Sequence, residues 1–163
     1  MEANLMVDLA HRLMHIYGVS PHDMALISPH RAQNNAILKQ LGARVTAHRE
    51  GSGAMPGNAV PCLPLVDTVE RVQGAERDVI LFGMTASDPD HLAGEFLNSP
   101  HRLNVAMTRA RTKLIVMGSH AFFSMIPDSE SLLIKNSCFK NLKAHCEARG
   151  CVFHFTRQMD VNN

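Results

Sequence analysis

Three short segments concentrate the side chains of this chain that suit work on phosphates and sugars. The first, Ile27-Ser28-Pro29-His30-Arg31-Ala32-Gln33, offers a hydroxyl and an amide. The second runs Val66-Asp67-Thr68-Val69-Glu70-Arg71-Val72-Gln73-Gly74-Ala75-Glu76-Arg77-Asp78-Val79-Ile80, and the third runs Arg102-Leu103-Asn104-Val105-Ala106-Met107-Thr108-Arg109-Ala110-Arg111. A guanidinium stays charged at any working pH and presents forked donors matched to phosphate oxygens. Arg102 and Arg109 are seven residues apart, so on a helix they share nearly one face, about 10 Å apart along the axis. Arg111 leaves on another face. Gly74 permits close approach of backbone to a ligand, or simply a tight turn. Glu76 can accept hydrogen bonds from hydroxyl groups. Hydroxyl and amide side chains such as Ser28, Gln33 and Thr68 can hold phosphates without reading bases.

These segments need a scaffold, and the hydropathy pattern supplies one. Leu5, Leu9, Leu13 and Ile16 recur at helical spacing up to Gly18. Met24 to Ser28 reads as a buried strand, followed after Pro29 by a helix to Leu41 with Gly42 as its C-terminal signal. Arg44 to Ala47 reads as a short strand, and residues 49–64 as a Gly- and Pro-rich loop. That loop has no Lys followed by Ser or Thr, so it is no phosphate-binding P-loop. Strands are expected at Leu65–Thr68, Asp78–Met84, Leu114–Gly118 and Val152–Phe155, and helices at Pro100–Arg111 and Leu132–Ala148. The alternation predicts one α/β domain over residues 1–163, a mostly parallel sheet with helices on both faces. Ligands of such sheets meet the loops at the carboxyl ends of the strands.

The three segments, in this order and at strand or helix edges, resemble the later motifs of superfamily-1 helicases. The likeness is to the group that includes the nonsense-mediated-decay RNA helicase. That group carries T-P-Y-x-x-Q, then V-x-T-V-D-x-F-Q-G-x-E-x-D, then R-L-N-V-A-x-T-R-A-[RK]. Here Glu70 stands for the usual Asp, Val72 for Phe, His30 for Tyr and His101 for a frequent Arg. The resemblance spans residues 27–118 and implies a three-layer RecA-like fold of the P-loop NTPase type, specifically the second RecA-like domain of the motor. The group's Y-R segment would lie upstream of Met1, which implies that this chain is part of a longer protein.

The resemblance also implies roles. ATP is hydrolysed between two RecA-like domains, the first bringing the P-loop and the Mg²⁺ ligands, the second adding positive charge for the transferring phosphoryl group. Arg109 matches the arginine finger, against the plain alternative of a solvated surface arginine. Arg102, Gln73, Gly74 and Glu76 match the nucleotide-facing positions, Glu76 toward the ribose hydroxyls. Thr68, with Ser28 and Gln33, matches contacts to the backbone of a single strand of DNA or RNA. The implied partners are that strand and the first RecA-like domain of the same chain, with ATP and Mg²⁺ as cofactors and movement 5′ to 3′. This segment alone is expected to be inactive.

Composition bounds these readings. The chain has 163 residues, 45% of them hydrophobic and 19% charged, with a net charge of +1. A domain that grips long stretches of phosphate backbone carries a basic excess, so nucleic-acid contact here is expected to be local. No membrane span or signal peptide is read from the sequence, which points to a cytoplasmic protein, or a nuclear one in a eukaryote. Cys62, Cys138, Cys146 and Cys151 form no C-x-x-C pair. His145 and His154 add metal donors to the tail, but without the short, regular spacing of zinc sites. No metal is expected there, and Cys138 and Leu142 share an apolar helix face. Two alternatives stay open: a degenerate helicase domain serving as a non-catalytic binding or regulatory module, and a metal-dependent nucleic-acid module built on the Cys/His tail.

Overall fold

The computed structural model describes residues 2–51, 62–72, 74, 76–84, 100–124, 126 and 129–155, the side chains of Arg49, Glu50 and Arg102 excepted. Helix α1 covers Glu2–His15 and a 3-10 turn Pro21–Asp23 leads into β1, Met24–Ile27. Helix α2 covers Arg31–Gly51, β2 Leu65–Asp67 and β3 Arg77–Gly83. Helix α3 covers Pro100–Arg109, β4 Ala110–Met117, α4 His120–Ser124 and α5 Glu130–Ala148.

The strands form one sheet in the order β2-β1-β3-β4, every pair parallel. All four residues of β1 are buried, as are the last five of β3. A parallel strand covered on both faces requires such unbroken apolar runs. Alternate side chains serve opposite cores. Met24, Leu26, Val79 and Leu81 meet Met6, Val7 and Ala10 of α1 and Ile37 and Leu41 of α2. Ala25, Ile27, Ile80 and Phe82 meet Leu103 and Ala106 of α3, Phe122 of α4 and Phe139 of α5. The result is three layers, an α/β RecA-like arrangement as the motifs imply.

Several local readings change. On α1 the fully buried line is Met6, Val7 and Ala10; Leu5, Leu9 and Leu13 pack partly against it, and Ile16 is exposed. Helix α2 runs through Gly42, and residues 44–47 are helical rather than a strand. A glycine inside a helix costs about 1 kcal/mol, and the apolar stripe outweighs it: Ile37, Leu41 and Val45, at i, i+4 and i+8, are all buried. Full burial of each such side chain stabilises by about 1.5–3 kcal/mol. Thr46 adds a hydrogen bond to the Gly42 carbonyl at 3.0 Å, and Arg44 pairs with Asp8 of α1.

Helix α3 ends two residues early, because Ala110 already pairs with Arg77 and Ala110–Lys113 extend β4 backward. Residues 152–155 form no strand, and Phe153 and Phe155 stand exposed. Helix α5 starts on the Ser129 hydroxyl, which accepts from the Leu132 amide at 3.3 Å. Of the loop expected over 49–64, residues 49–51 instead belong to α2, and 52–61 lie outside the described residues, as does the connection over 85–99.

Where α1 meets α2, three imidazoles stack. The ring centroids of His11 and His15 are 4.3 Å apart, those of His15 and His48 4.0 Å. Burial and then the neighbouring His15, His48 and Arg44 push the His11 pKa below its ordinary value, with Asp8 opposing. Burial and then His48 do the same for His15.

Candidate functional site

The parallel register sorts the motif residues onto two opposite edges of the sheet. Ser28 follows β1 and Thr68 follows β2, so both lie at the carboxyl edge, where Gly83 ends β3. Gly74 and Glu76 precede β3 and Arg109 precedes β4, so these lie at the amino edge. Only the first of these two sets lies at the carboxyl edge, where ligand-facing loops are expected in such sheets.

At the amino edge the pair Arg77–Ala110 opens the β3–β4 ladder. Glu76 and Arg109 each stand one residue before it, at the starts of neighbouring strands, which are spaced about 4.8 Å apart. Arg109 closes α3, where a cation is favoured by the helix dipole. Its side chain is partly buried, and its Nε is buried without a hydrogen-bond partner. Among the described residues its Nη2 reaches the Thr108 hydroxyl, at 3.5 Å. Among the described residues, no carboxylate pairs with it. Arg111 differs: it lies on β4 rather than on the helix, with Nε 2.8 Å from Asp78 and Nη2 3.9 Å from Asp23. Arg44 and Arg71 are also ion-paired. A half-buried guanidinium without a counter-charge is costly unless something else supplies one.

Gly74 has φ +87°, and a Cβ built there meets nothing within 4 Å. The turn demands glycine for its backbone conformation, and open space lies beside it. Glu76 is exposed, with its carbonyl accepting from Arg77 Nη1 at 2.7 Å. Val72, standing where the motif has Phe, is buried in the sheet's α3 face, so its apolar role is kept. Gln73 lies outside the described residues, as does the side chain of Arg102.

The carboxyl edge is tightly bonded. The Ser28 amide donates to the Asp67 carbonyl at 3.3 Å, tying the end of β1 to that of β2. Its hydroxyl, fully buried, lies 2.8 Å from Asn34 Oδ1 and 3.2 Å from the His30 carbonyl. The Thr68 amide donates to Asp67 Oδ1 at 2.8 Å, and the Thr68 carbonyl accepts from Arg71 and Val72. Thr68 is 6% exposed. Gln33 Nε2 donates to Glu2 Oε1 at 3.1 Å. Both sit over Gly83, where an added Cβ would come within 2.6 Å of Glu2 Oε1 and 3.2 Å of Gln33 Nε2.

The motifs do not single out Asn34, Asp67, Glu2 or Gly83, yet these residues shape the edge. Asn34 is 5% exposed and its Nδ2 is buried without a partner. Its only sequence signal is a polar residue at a position of α2 that faces inward.

Cys138 and Leu142 share one face of α5 and pack on the core, and with Leu103, Met107, Asn141 and His145 they line a groove of about 310 Å³. Burial pushes the Cys138 thiol pKa up. Among the described residues, no three His, Cys, Asp or Glu side chains are arranged to hold a metal, and no helix is long and apolar enough to cross a membrane.

Comparison with known proteins agrees with the motifs. The family model described as an AAA domain matches residues 1–121. The chain is 34% identical over 116 residues to the DNA replication ATP-dependent helicase/nuclease DNA2 of Homo sapiens, covering 71% of this chain and 9% of that protein. It is 34% identical over 124 residues to Regulator of nonsense transcripts 1 of Dictyostelium discoideum, covering 76% of this chain and 8% of that one. With the helicase/nuclease JHS1 of Arabidopsis thaliana the identity is 30% over 129 residues, covering 77% and 8%. The chain thus spans about a tenth of the length of these curated relatives. A family match over most of the chain, on a parallel three-layer scaffold that carries the three motifs at its edges, leads to one assignment: the chain belongs to the AAA-domain family, as a helicase domain of superfamily 1 in the group related to the nonsense-mediated-decay RNA helicase.

Proposed function

We propose that this chain is the second RecA-like motor domain of an ATP-dependent DNA or RNA helicase. Its amino edge serves the nucleotide and its carboxyl edge serves the strand. One observation carries the reading: Arg109 is partly buried with its Nε unpartnered and, among the described residues, without a counter-charge, at the same sheet edge as Gly74 and the exposed Glu76. As water attacks the γ-phosphorus, negative charge spreads over the equatorial oxygens of the transferring group. Arg109 meets that charge, and its benefit is largest in the transition state, where the charge is greatest. Gly74 gives the nucleotide room, and Glu76 accepts from the ribose hydroxyls. Arg102 and Gln73 complete this set on the strength of their motif positions.

Mg²⁺ would supply charge neutralisation between the phosphates. The family resemblance assigns its ligands to the first RecA-like domain. At the other edge, Thr68 contacts the backbone of a single strand, and Gln33 flanks it. Ser28 contributes through the turn that its buried hydroxyl holds. A local contact of this kind suits the net charge of +1.

Two substitutions in the full-length protein separate the edges. Arg109→Ala removes strand-stimulated ATP turnover while strand affinity is kept. Thr68→Ala weakens strand affinity by one hydrogen bond, about 0.5–1.5 kcal/mol, with nucleotide affinity unchanged in the absence of a strand. If Thr68→Ala lowers ATP affinity and leaves strand affinity intact, the edges are assigned the wrong way round.

A further inference from the structure

The amino edge holds a second arginine that the motifs do not assign. Arg77 opens β3, and its Cα is in register with Ala110, the residue after Arg109. Its Nε, like that of Arg109, is buried without a partner. Its Nη1 donates to the Glu76 carbonyl at 2.7 Å. The two aspartates at this edge are committed elsewhere: Asp78 and Asp23 both face Arg111. Glu76 offers Arg77 its carbonyl, and among the described residues no carboxylate is ion-paired with Arg77 or Arg109.

Two arginines are thus rooted within one residue of a single register pair, each with a desolvated donor unmet. An anion held by both would meet the two unmet donors. A phosphate is the natural occupant, since guanidinium donors match its oxygens in geometry and number.

We propose that Arg77 is a second phosphate-binding cation, acting with Arg109 on the phosphoryl oxygens of the same nucleotide. The two side chains form a clamp: Arg109 approaches from the end of α3 and Arg77 from the start of β3. This inference rests on the reading of Arg109 as the finger and adds a partner to it.

The test uses the full-length protein with Arg77→Ala, Arg77→Lys, Arg109→Ala and the Arg77→Ala/Arg109→Ala double variant. Strand-stimulated kcat, KM for ATP, melting temperature and affinity for ADP with and without aluminium fluoride are measured on each. Arg77→Ala is expected to lower kcat by about ten- to a hundredfold with a far smaller change in KM, the pattern of an interaction made in the transition state. It should lower affinity for the ADP–aluminium fluoride complex by a similar factor while ADP alone binds nearly as before. The double variant should be much less impaired than the product of the two single losses, because the residues act as a unit. If Arg77→Ala melts below the assay temperature, Arg77→Lys decides: it keeps the charge and loses the planar fork, and a lower kcat with normal melting is expected. Normal kcat in the folded Arg77 variants, with turnover lost in Arg109→Ala, overturns the clamp and leaves the finger standing. Normal kcat in Arg77→Ala and Arg109→Ala alike overturns both.

Discussion

Replacing Gly42 with alanine should stabilise the domain, and the sign of the effect tests how α2 is built. Gly42 sits in the interior of a 21-residue helix, and it is not among the glycines with positive φ. Alanine in a helix interior is favoured over glycine by about 0.8–1 kcal/mol, partly because the unfolded chain has fewer conformations to lose. The new methyl would find only Leu63 Cδ1, at 3.9 Å, an ordinary contact. No strain offsets the gain. For a chain of this length, about 1 kcal/mol raises the melting temperature by roughly 2–4 °C. Urea or thermal unfolding of the wild-type and Gly42→Ala chains, followed by helical circular dichroism, reads the difference. Had the helix stopped at Gly42 in a left-handed cap, alanine would instead cost about 1–2 kcal/mol. A lower melting temperature for Gly42→Ala would therefore show that the helix ends there and that residues 44–47 leave it.

Gly74→Ala should act oppositely, losing about 1–2 kcal/mol because φ is +87° at an uncrowded site; Gly74→Asn should lose less, and equal stability of all three chains would refute the turn. Protonation of the histidine stack should destabilise the α1–α2 contact. The folded pKa values of His11 and His15 are lowered, so the unfolded chain takes up protons first as pH falls. Their contribution is complete above about pH 6.5 and is lost as pH falls through that value. Melting between pH 7.5 and 5.5 should decline less steeply in His15→Gln than in wild type, and parallel slopes would count against the stack. Arg111→Ala breaks an exposed ion-pair set, so it should cost no more than about 1 kcal/mol. A clean preparation of these 163 residues should show no ATPase activity, which a sensitive phosphate-release assay checks.

The sheet was legible because β1 and β3 are buried on both faces, which forces unbroken runs such as Met24–Ile27 and Val79–Phe82. Helix α5 was legible because Cys138 and Leu142 recur on one face. The end of α2 was misread because Gly42 is a local stop signal, whereas the burial of Val45 depends on what α2 packs against. Likewise, nothing in Ala110-Arg111 announces a strand; only the register with Arg77 makes it one. The motifs named the site residues that they contain. They gave no account of Asn34, Glu2 or Gly83, whose proximity arises from folding α1 and α2 over the sheet. The separation of Thr68 from Gly74 and Glu76 onto opposite edges was equally invisible, although they share one motif. It follows from β2 and β3 both running parallel to the β1 that lies between them.

The central claim is that Arg109 is the charge this domain contributes to phosphoryl transfer. Its most direct test is the strand-stimulated ATP turnover of the full-length protein with Arg109→Ala, with nucleotide affinity and melting measured on the same sample. Comparable arginines contribute about 10³ to 10⁵ in rate, or roughly 4–7 kcal/mol. The account predicts a loss of that order in a folded protein that still binds nucleotide. Near-normal turnover, or a loss explained by unfolding alone, would contradict it.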